Sequence, residues 1–119
     1  MKIAVTSKGN NLDSEVDPRF GRAAYIIIVD TDTLEFEALD NSANANSFKG
    51  AGIQAGAMVG EKKAEALLTG FCGPNAFKTL NAAKVKVANN VTGTVKEAVQ
   101  AFKDGKVTFA DEANTDGHW

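Results

Sequence analysis

The side chains best suited to chemistry in this sequence lie in three short glycine-marked stretches. Gly70-Phe71-Cys72-Gly73-Pro74-Asn75 holds the only cysteine. The apolar run Ala66-Leu67-Leu68 leads into it and an apolar helical pattern follows, so the stretch reads as strand, tight turn, helix. Pro74 suits a first helical turn, where its missing N–H costs nothing. The flanking glycines permit positive φ or close backbone approach. A thiol beside helix-start amides suits an anion or a soft metal such as Cu(I). Cys72, Gly73 and Asn75 are therefore candidate site residues, and Cys72 is the one candidate metal ligand. The opposing reading of Cys72 is a small buried hydrophobe.

Arg19-Phe20-Gly21-Arg22 is the second stretch. Guanidinium groups are weakly hydrated and present planar donors, which suits a diffuse anion. Arg19 and Arg22 are candidates for that role, against a surface ion pair with Asp13, Glu15 or Asp17. Phe20 is read either as a shield that keeps water from an anion or as a core anchor for the loop. Gly50-Ala51-Gly52 is the third stretch and offers backbone amides at a helix start, an anion cradle. Its alternative is close packing of a helix on a sheet. The spacing Gly50, Gly52, Gly56 misses the dinucleotide fingerprint by one residue. A single thiol cannot hold a metal cluster by ordinary ligation, so charge, hydrogen bonds and packing must do most of that work. His118, the only histidine, stands beside the only tryptophan, Trp119, at the very end of the sequence.

The 119 residues suffice for one domain with a single core. A net charge of −2 gives no basic field for nucleic acid. No apolar run approaches the ~18 residues of a membrane span, and the opening Met1-Lys2-Ile3-Ala4-Val5 lacks the apolar region of a signal peptide. With one cysteine, neither an intramolecular disulfide nor a several-cysteine zinc or iron–sulfur site is available to the chain. The expectation is a soluble, reduced, cytoplasmic protein without membrane or nucleic-acid partners. Its carboxylates lie in loops, on a hairpin and on helix surfaces, with no acid–base or two-metal constellation, so an enzyme is not expected.

Five strands and three helices must position these residues. Residues 2–6 read as a buried first strand, and residues 7–22 as a loop of about 16 residues, a length usually tied to function. Residues 24–30 and 34–39 read as a hairpin, the second strand half-buried through Leu34, Phe36 and Ala38. Residues 40–50 form a polar loop. A helix opens at Gly50 with Ile53 and Ala57 on one face. Short buried strands at 67–68 and 85–88 enclose a helix over 75–83, with Ala76, Phe77, Leu80 and Ala83 inward. Thr94 and Glu97 have the capping-box spacing and start a last helix through Val95, Ala98, Val99 and Phe102. Residues 106–119 are read as a tail, to which Val107 and Phe109 add a little order. The order predicts an α/β domain with a mixed sheet: the first strand pairs with the hairpin on one side and two parallel strands on the other. The three stretches and the loop at 89–93 then meet beyond the carboxyl ends of the parallel strands.

The opening five residues, the Arg19–Arg22 loop, Gly50-Ala51-Gly52-Ile53-Gln54, Gly73-Pro74-Asn75-Ala76-Phe77 and the late Gly93-Thr94-Val95 follow one another in a familiar order. In order and spacing the set resembles the dinitrogenase iron–molybdenum cofactor biosynthesis family over roughly residues 1–105. The resemblance implies a ribonuclease-H-like fold, a five-stranded mixed sheet with flanking helices. It further implies a non-catalytic carrier for an anionic metal–sulfide cluster of Mo–S, mixed molybdenum–copper sulfide or iron–molybdenum type, held non-covalently. On that reading Arg19, Phe20, Arg22, Gly50, Ala51, Gly52, Cys72, Gly73 and Asn75 line the site. A cofactor-assembly or cell-division-related protein is the implied partner class. The histidine ligand of some family members has no counterpart here, because His118 lies outside the matched region. A cofactor-free protein-interaction or regulatory module is the alternative.

Overall fold

The computed structural model describes residues 1–46 and 50–110. The strands are β1 (Lys2–Ser7), β2 (Tyr25–Asp30), β3 (Phe36–Asp40), β4 (Ala66–Leu68) and β5 (Lys86–Ala88). The helices are α1 (Ser42–Ala45), α2 (Ala51–Glu61), α3 (Pro74–Ala82) and α4 (Val95–Lys103). One five-stranded sheet runs in the order β3-β2-β1-β4-β5. β1 pairs antiparallel with β2 and parallel with β4, and β4 and β5 are parallel. The mixed sheet expected from the element order is thus the one found.

Side chains alternate across each strand. Ala4, Ile26, Ile28, Leu67 and Val87 pack on one face with Phe20, Ala55, Val59, Cys72, Phe77 and Leu80. Ile3, Val5, Ile27, Val29, Leu68 and Ala88 pack on the other with Val95, Ala98 and Val99 of α4. Because both faces are covered, the central strands read as continuous apolar runs rather than as alternation.

Four expectations need correction. α1 is a single helical turn within the stretch read as a polar loop. α2 turns Ala51, Ala55, Gly56 and Val59 inward, while Ile53 is 45% exposed and Ala57 is also exposed. The reason is a row of glycines along the helix. A Cβ built on Gly52, Gly56 or Gly60 would stand 2.9, 3.0 and 3.0 Å from Ala76 Cβ, Thr79 Cγ2 and Ala83 Cβ. Helix α2 lies so close on α3 that only the smallest residues fit between them, and the bulky Ile53 faces away. Ala83 itself is exposed. Leu34 lies in the turn ahead of β3, at φ +65°, and both it and Phe36 of β3 face solvent rather than the core, Phe36 being 44% exposed. This is the edge strand, and only Ala38 and Leu39 reach the two packed layers.

At the opposite edge, residues read as the beginning of a tail join the sheet. Phe109 bridges Ala88 in antiparallel fashion and the Ala110 N–H donates to the Val87 carbonyl at 2.7 Å. Phe109 also meets Phe102 edge to face, with ring centroids 6.2 Å apart. The segment blunts the exposed edge of β5. The remainder of the expected tail, 111–119 with His118 and Trp119, lies outside the described residues.

The capping box of α4 forms as expected. The Glu97 N–H donates to Thr94 Oγ1 at 3.1 Å, and the Thr94 N–H donates to Glu97 Oε1 at 2.9 Å. Thr94→Ala leaves a helix-start amide without its acceptor and is expected to cost about 1 kcal/mol in urea unfolding.

Candidate functional site

The long loop after β1 is fixed by its own backbone. Asp17 N–H donates to the Thr6 carbonyl at 2.9 Å and Val16 N–H to the Gly93 carbonyl at 2.9 Å. Phe20 N–H then donates to the Phe71 carbonyl at 3.1 Å, and Phe71 N–H to the Pro18 carbonyl at 2.6 Å. On the far side, Asn90 N–H donates to Gly70 and Val91 N–H to Thr69, at 2.9 and 3.0 Å. Three loops therefore continue the sheet past the carboxyl ends of β1, β4 and β5. Two buried hydroxyls lock the seam: Thr6 Oγ1 donates to the Asp17 carbonyl at 2.6 Å and lies 2.9 Å from Thr69 Oγ1.

Glycines bring the three marked stretches together. Gly21 has φ +89°, and a Cβ on it would stand 2.9 Å from both Cα and N of Gly52. Gly70 is covered as closely, since its Cβ would stand 2.7 Å from Cα, Cβ and O of Pro18. The Arg19–Arg22 loop thus rests on the start of α2, and the start of α2 rests on Ala76 in the first turn of α3. Neither helix start carries a side-chain cap, the N-cap positions being Gly50 at φ +81° and Gly73. The first amides of a helix have no intrahelical acceptor, and these two starts are the ones that the arginine loop and Ala76 bring close to one another.

Arg19 is 49% exposed, with Nε 3.7 Å from Oδ1 of the buried Asp17. That oxygen also accepts the Arg19 backbone N–H at 3.1 Å. Of the three carboxylates weighed as partners for the arginines, Asp17 is the one in place; Glu15 pairs with Lys8 instead, at 3.5 Å. Arg22 is half-buried and its Nη1 donates to the Ala45 carbonyl at 2.7 Å, tying the loop to α1. Asn41 supports the same turn, its Nδ2 donating to the Gly21 and Ala23 carbonyls at 3.1 and 2.8 Å. Among the described residues, Arg19 and Arg22 thus bring two guanidinium groups to this rim, one beside the Asp17 carboxylate and one on a backbone carbonyl.

Phe20 and Cys72 lie beneath the rim. Phe20 is 2% exposed and anchors the loop in the α2–α3 layer of the core. Cys72 is fully buried in that layer, its sulfur 3.7 Å from the Gly73 carbonyl. Burial pushes the thiol up to about 12, so the native protein presents a neutral S–H and no thiolate near neutral pH. Native protein should therefore react with iodoacetamide at pH 8 far more slowly than urea-unfolded protein. An unfolded thiol ionises near 9.0. Between there and about 12 the native state holds the proton and the unfolded state does not, so stability falls as pH rises, by up to about 1.4 kcal/mol per unit. Urea midpoints from pH 8 to 11 should show that slope in excess over Cys72→Ala.

Thr6, Thr69, Asp17 and Asn41, all buried, hold the site together, and sequence reasoning missed three of them as positioning groups. The available signal was polar residues placed directly at the ends of apolar strands. Among the described residues, no group of three or more His, Cys, Asp or Glu could hold a metal ion, and no helix is long and apolar enough to cross a membrane. The donor set of guanidinium groups and backbone amides fits an anion held by charge and hydrogen bonds, not a cation held by ligands.

Comparison with known proteins agrees with this architecture. The chain is similar to the apo form of the orange protein from Desulfovibrio gigas, with 47% identity over 96% of each chain and a TM-score of 0.92. It is similar to a Thermotoga protein described as NifB and placed in the DUF35 family, with 37% identity over 98% of each chain and a TM-score of 0.83. A Methanocaldococcus jannaschii protein described as a dinitrogenase shares the fold at 14% identity, over 94% of this chain and 96% of that one, with a TM-score of 0.70. No curated protein sequence matches the chain. The family model for dinitrogenase iron–molybdenum cofactor matches residues 1–105, and the chain belongs to that family.

Proposed function

We propose that this protein is a non-catalytic carrier whose cargo is an anionic metal–sulfide cluster, a molybdenum–copper sulfide or a related Mo/Fe–S species. The observation that carries the reading is the meeting of the Arg19–Arg22 loop with two helix starts that lack side-chain caps, Gly50-Ala51-Gly52 and Gly73-Pro74-Asn75. The arginines and first-turn amides neutralise the anion, and Asn75 contributes at the rim. Phe20 and Cys72 form the dry floor; Cys72 packs there as a neutral thiol and is not a ligand in this arrangement. A preformed cluster needs no ligand set from the protein, in keeping with the donor types present. Family membership and similarity to the orange protein support a cofactor-related role. The same reading includes the ribonuclease-H-like name for the topology, a reducing cytoplasmic setting in which sulfide clusters persist, and a cofactor-assembly protein as source or recipient.

The test is an anaerobic titration of metal-free protein with tetrathiomolybdate, with and without Cu(I), followed by visible absorption and by metal retained after gel filtration. A new charge-transfer band with molybdenum and copper co-eluting in fixed ratio supports the carrier. No retained metal turns the assignment to a cofactor-free interaction module, for which the exposed Ile53 beside the site would be the first contact to probe.

A further inference from the structure

At the end of the sheet where β4 and β5 begin, opposite the cluster rim, lies a cavity of about 490 Å³. None of the residues assigned above to that rim lines it. Part of the lining is apolar. Phe102 and Phe109 meet there edge to face, and Phe109 is 39% exposed. Met1 adds an exposed thioether. Two exposed ammonium groups share the lining with these side chains. Lys86 Nζ lies 5.6 Å from the centroid of the Phe109 ring, so the charge is held against an aromatic surface. Lys84 follows the C-terminal end of α3 at φ +62°, a conformation that glycine or asparagine ordinarily supplies at a helix end. Among the described residues, neither lysine has a carboxylate within ion-pair distance.

We infer that this cavity is a second binding site, for a small aromatic monocarboxylate. Unpaired ammonium groups beside exposed apolar surface are complementary to an anion that carries an apolar body. The lining sets the charge: two lysines stand against one carboxylate, Glu65, which suits a monoanion better than a dianion. The Met1 amino group does not alter that balance, because Asp32, outside the lining, meets it at 3.6 Å. The exposed ring of Phe109 and the Met1 sulfur favour a flat ring over an aliphatic chain, since both make specific contacts with an aromatic face or edge. The volume lies within the range of small-molecule sites. Holding a lysine in the left-handed region costs free energy that glycine would not, and at Lys84 that cost places a charge at the cavity.

The experiment is an NMR titration of ¹⁵N-labelled full-length protein with phenylacetate. Phenylacetamide is the control that keeps the ring without the charge, and acetate the one that keeps the charge without the ring. Phenylacetate is expected to shift the Lys86, Phe102, Gly105 and Phe109 amides saturably, and each control to bind about tenfold more weakly or less. Lys86→Gln should weaken phenylacetate binding by about tenfold or more while leaving tetrathiomolybdate retention unchanged, which separates this site from the cluster site. Lys84→Gly removes a charge and a backbone strain together. It should weaken binding by a similar factor while the melting temperature holds or rises, a combination that a merely structural lysine would not give. The assignment is wrong if the wild type shows no saturable shift, or if phenylacetamide binds as well as phenylacetate. It is equally wrong if both lysine variants bind phenylacetate like the wild type. Binding lost together with a lowered melting temperature in Lys84→Gly also overturns it, since the lysine would then be serving the fold.

Discussion

Changing Gly21 to alanine is expected to lower stability by about 3 kcal/mol and to abolish cluster retention in the same variant. Two costs add. The backbone at φ +89° is one that an L side chain adopts only with strain, on the order of 1–2 kcal/mol. The new Cβ would also stand 2.9 Å from Cα and N of Gly52, main-chain atoms of α2 that cannot swing aside as a side chain would. Overpacking of that kind costs roughly 1–3 kcal/mol. Relief requires lifting the arginine loop off the start of α2, which separates the parts of the rim. Gly105→Ala is the matched control: φ is +71° there, but nothing lies within 4 Å of the added Cβ. Only the conformational term applies, so about 1 kcal/mol is expected. Urea unfolding of the two variants decides the point. Equal losses would mean that the contact with Gly52 contributes nothing.

The second large effect is electrostatic. Arg19→Ala combined with Arg22→Ala should reduce tetrathiomolybdate retention roughly 10- to 100-fold, since a hydrogen bond to a charged partner is worth about 1.5–3 kcal/mol. Raising the salt from 0.05 to 0.5 M should weaken wild-type binding and change the double variant much less, because exposed charges are screened. Lysine at both positions should recover only part of the affinity, since a point charge replaces a planar fork. Arg22 also ties the loop to the Ala45 carbonyl at 2.7 Å, so thermal melts must accompany the binding data. Arg19, half exposed and partnered by Asp17, is the cleaner single variant. Retention unchanged in a folded double variant would remove the arginines from the site.

What could be read in advance follows from what each residue meets. Ile3–Val5 and Tyr25–Val29 were legible because β-branched runs buried on both faces have few other homes. Thr94 and Glu97 were legible because a capping box is local chemistry. The convergence of Gly21, Gly52 and Gly70 followed from the order of the strands, which sends their loops to one end of the sheet. The inward face of α2 was not legible, because periodicity weights large apolar residues. Here the buried face is defined by glycines and Ile53 is turned out. Phe36 was misplaced for a related reason: alternation marks a face without saying whether anything covers it, and β3 is an edge. Cys72 between two glycines read either as a turn thiol beside helix-start amides or as a small buried hydrophobe, and its full burial agrees with the second. That it packs in one layer with Ala4, Phe20 and Ile26 depends on residues far away in sequence.

The hydrogen bonds that carry the sheet beyond its strands, from Phe20 to Phe71 and from Asn90 and Val91 to Gly70 and Thr69, have a consequence for exchange with solvent. Loop amides ordinarily open by local fluctuation and take up deuterium quickly. Those of Phe20, Phe71, Asn90 and Val91 are closed into a ladder and should open only when the sheet itself does. On the proposed carrier function, an incoming anion would then meet a rim already ordered, with little conformational entropy left to lose. Loading and release of the proposed cargo would be symmetrical events, neither waiting on a loop to fold, and protein with and without bound tetrathiomolybdate should show nearly the same protection pattern along this seam.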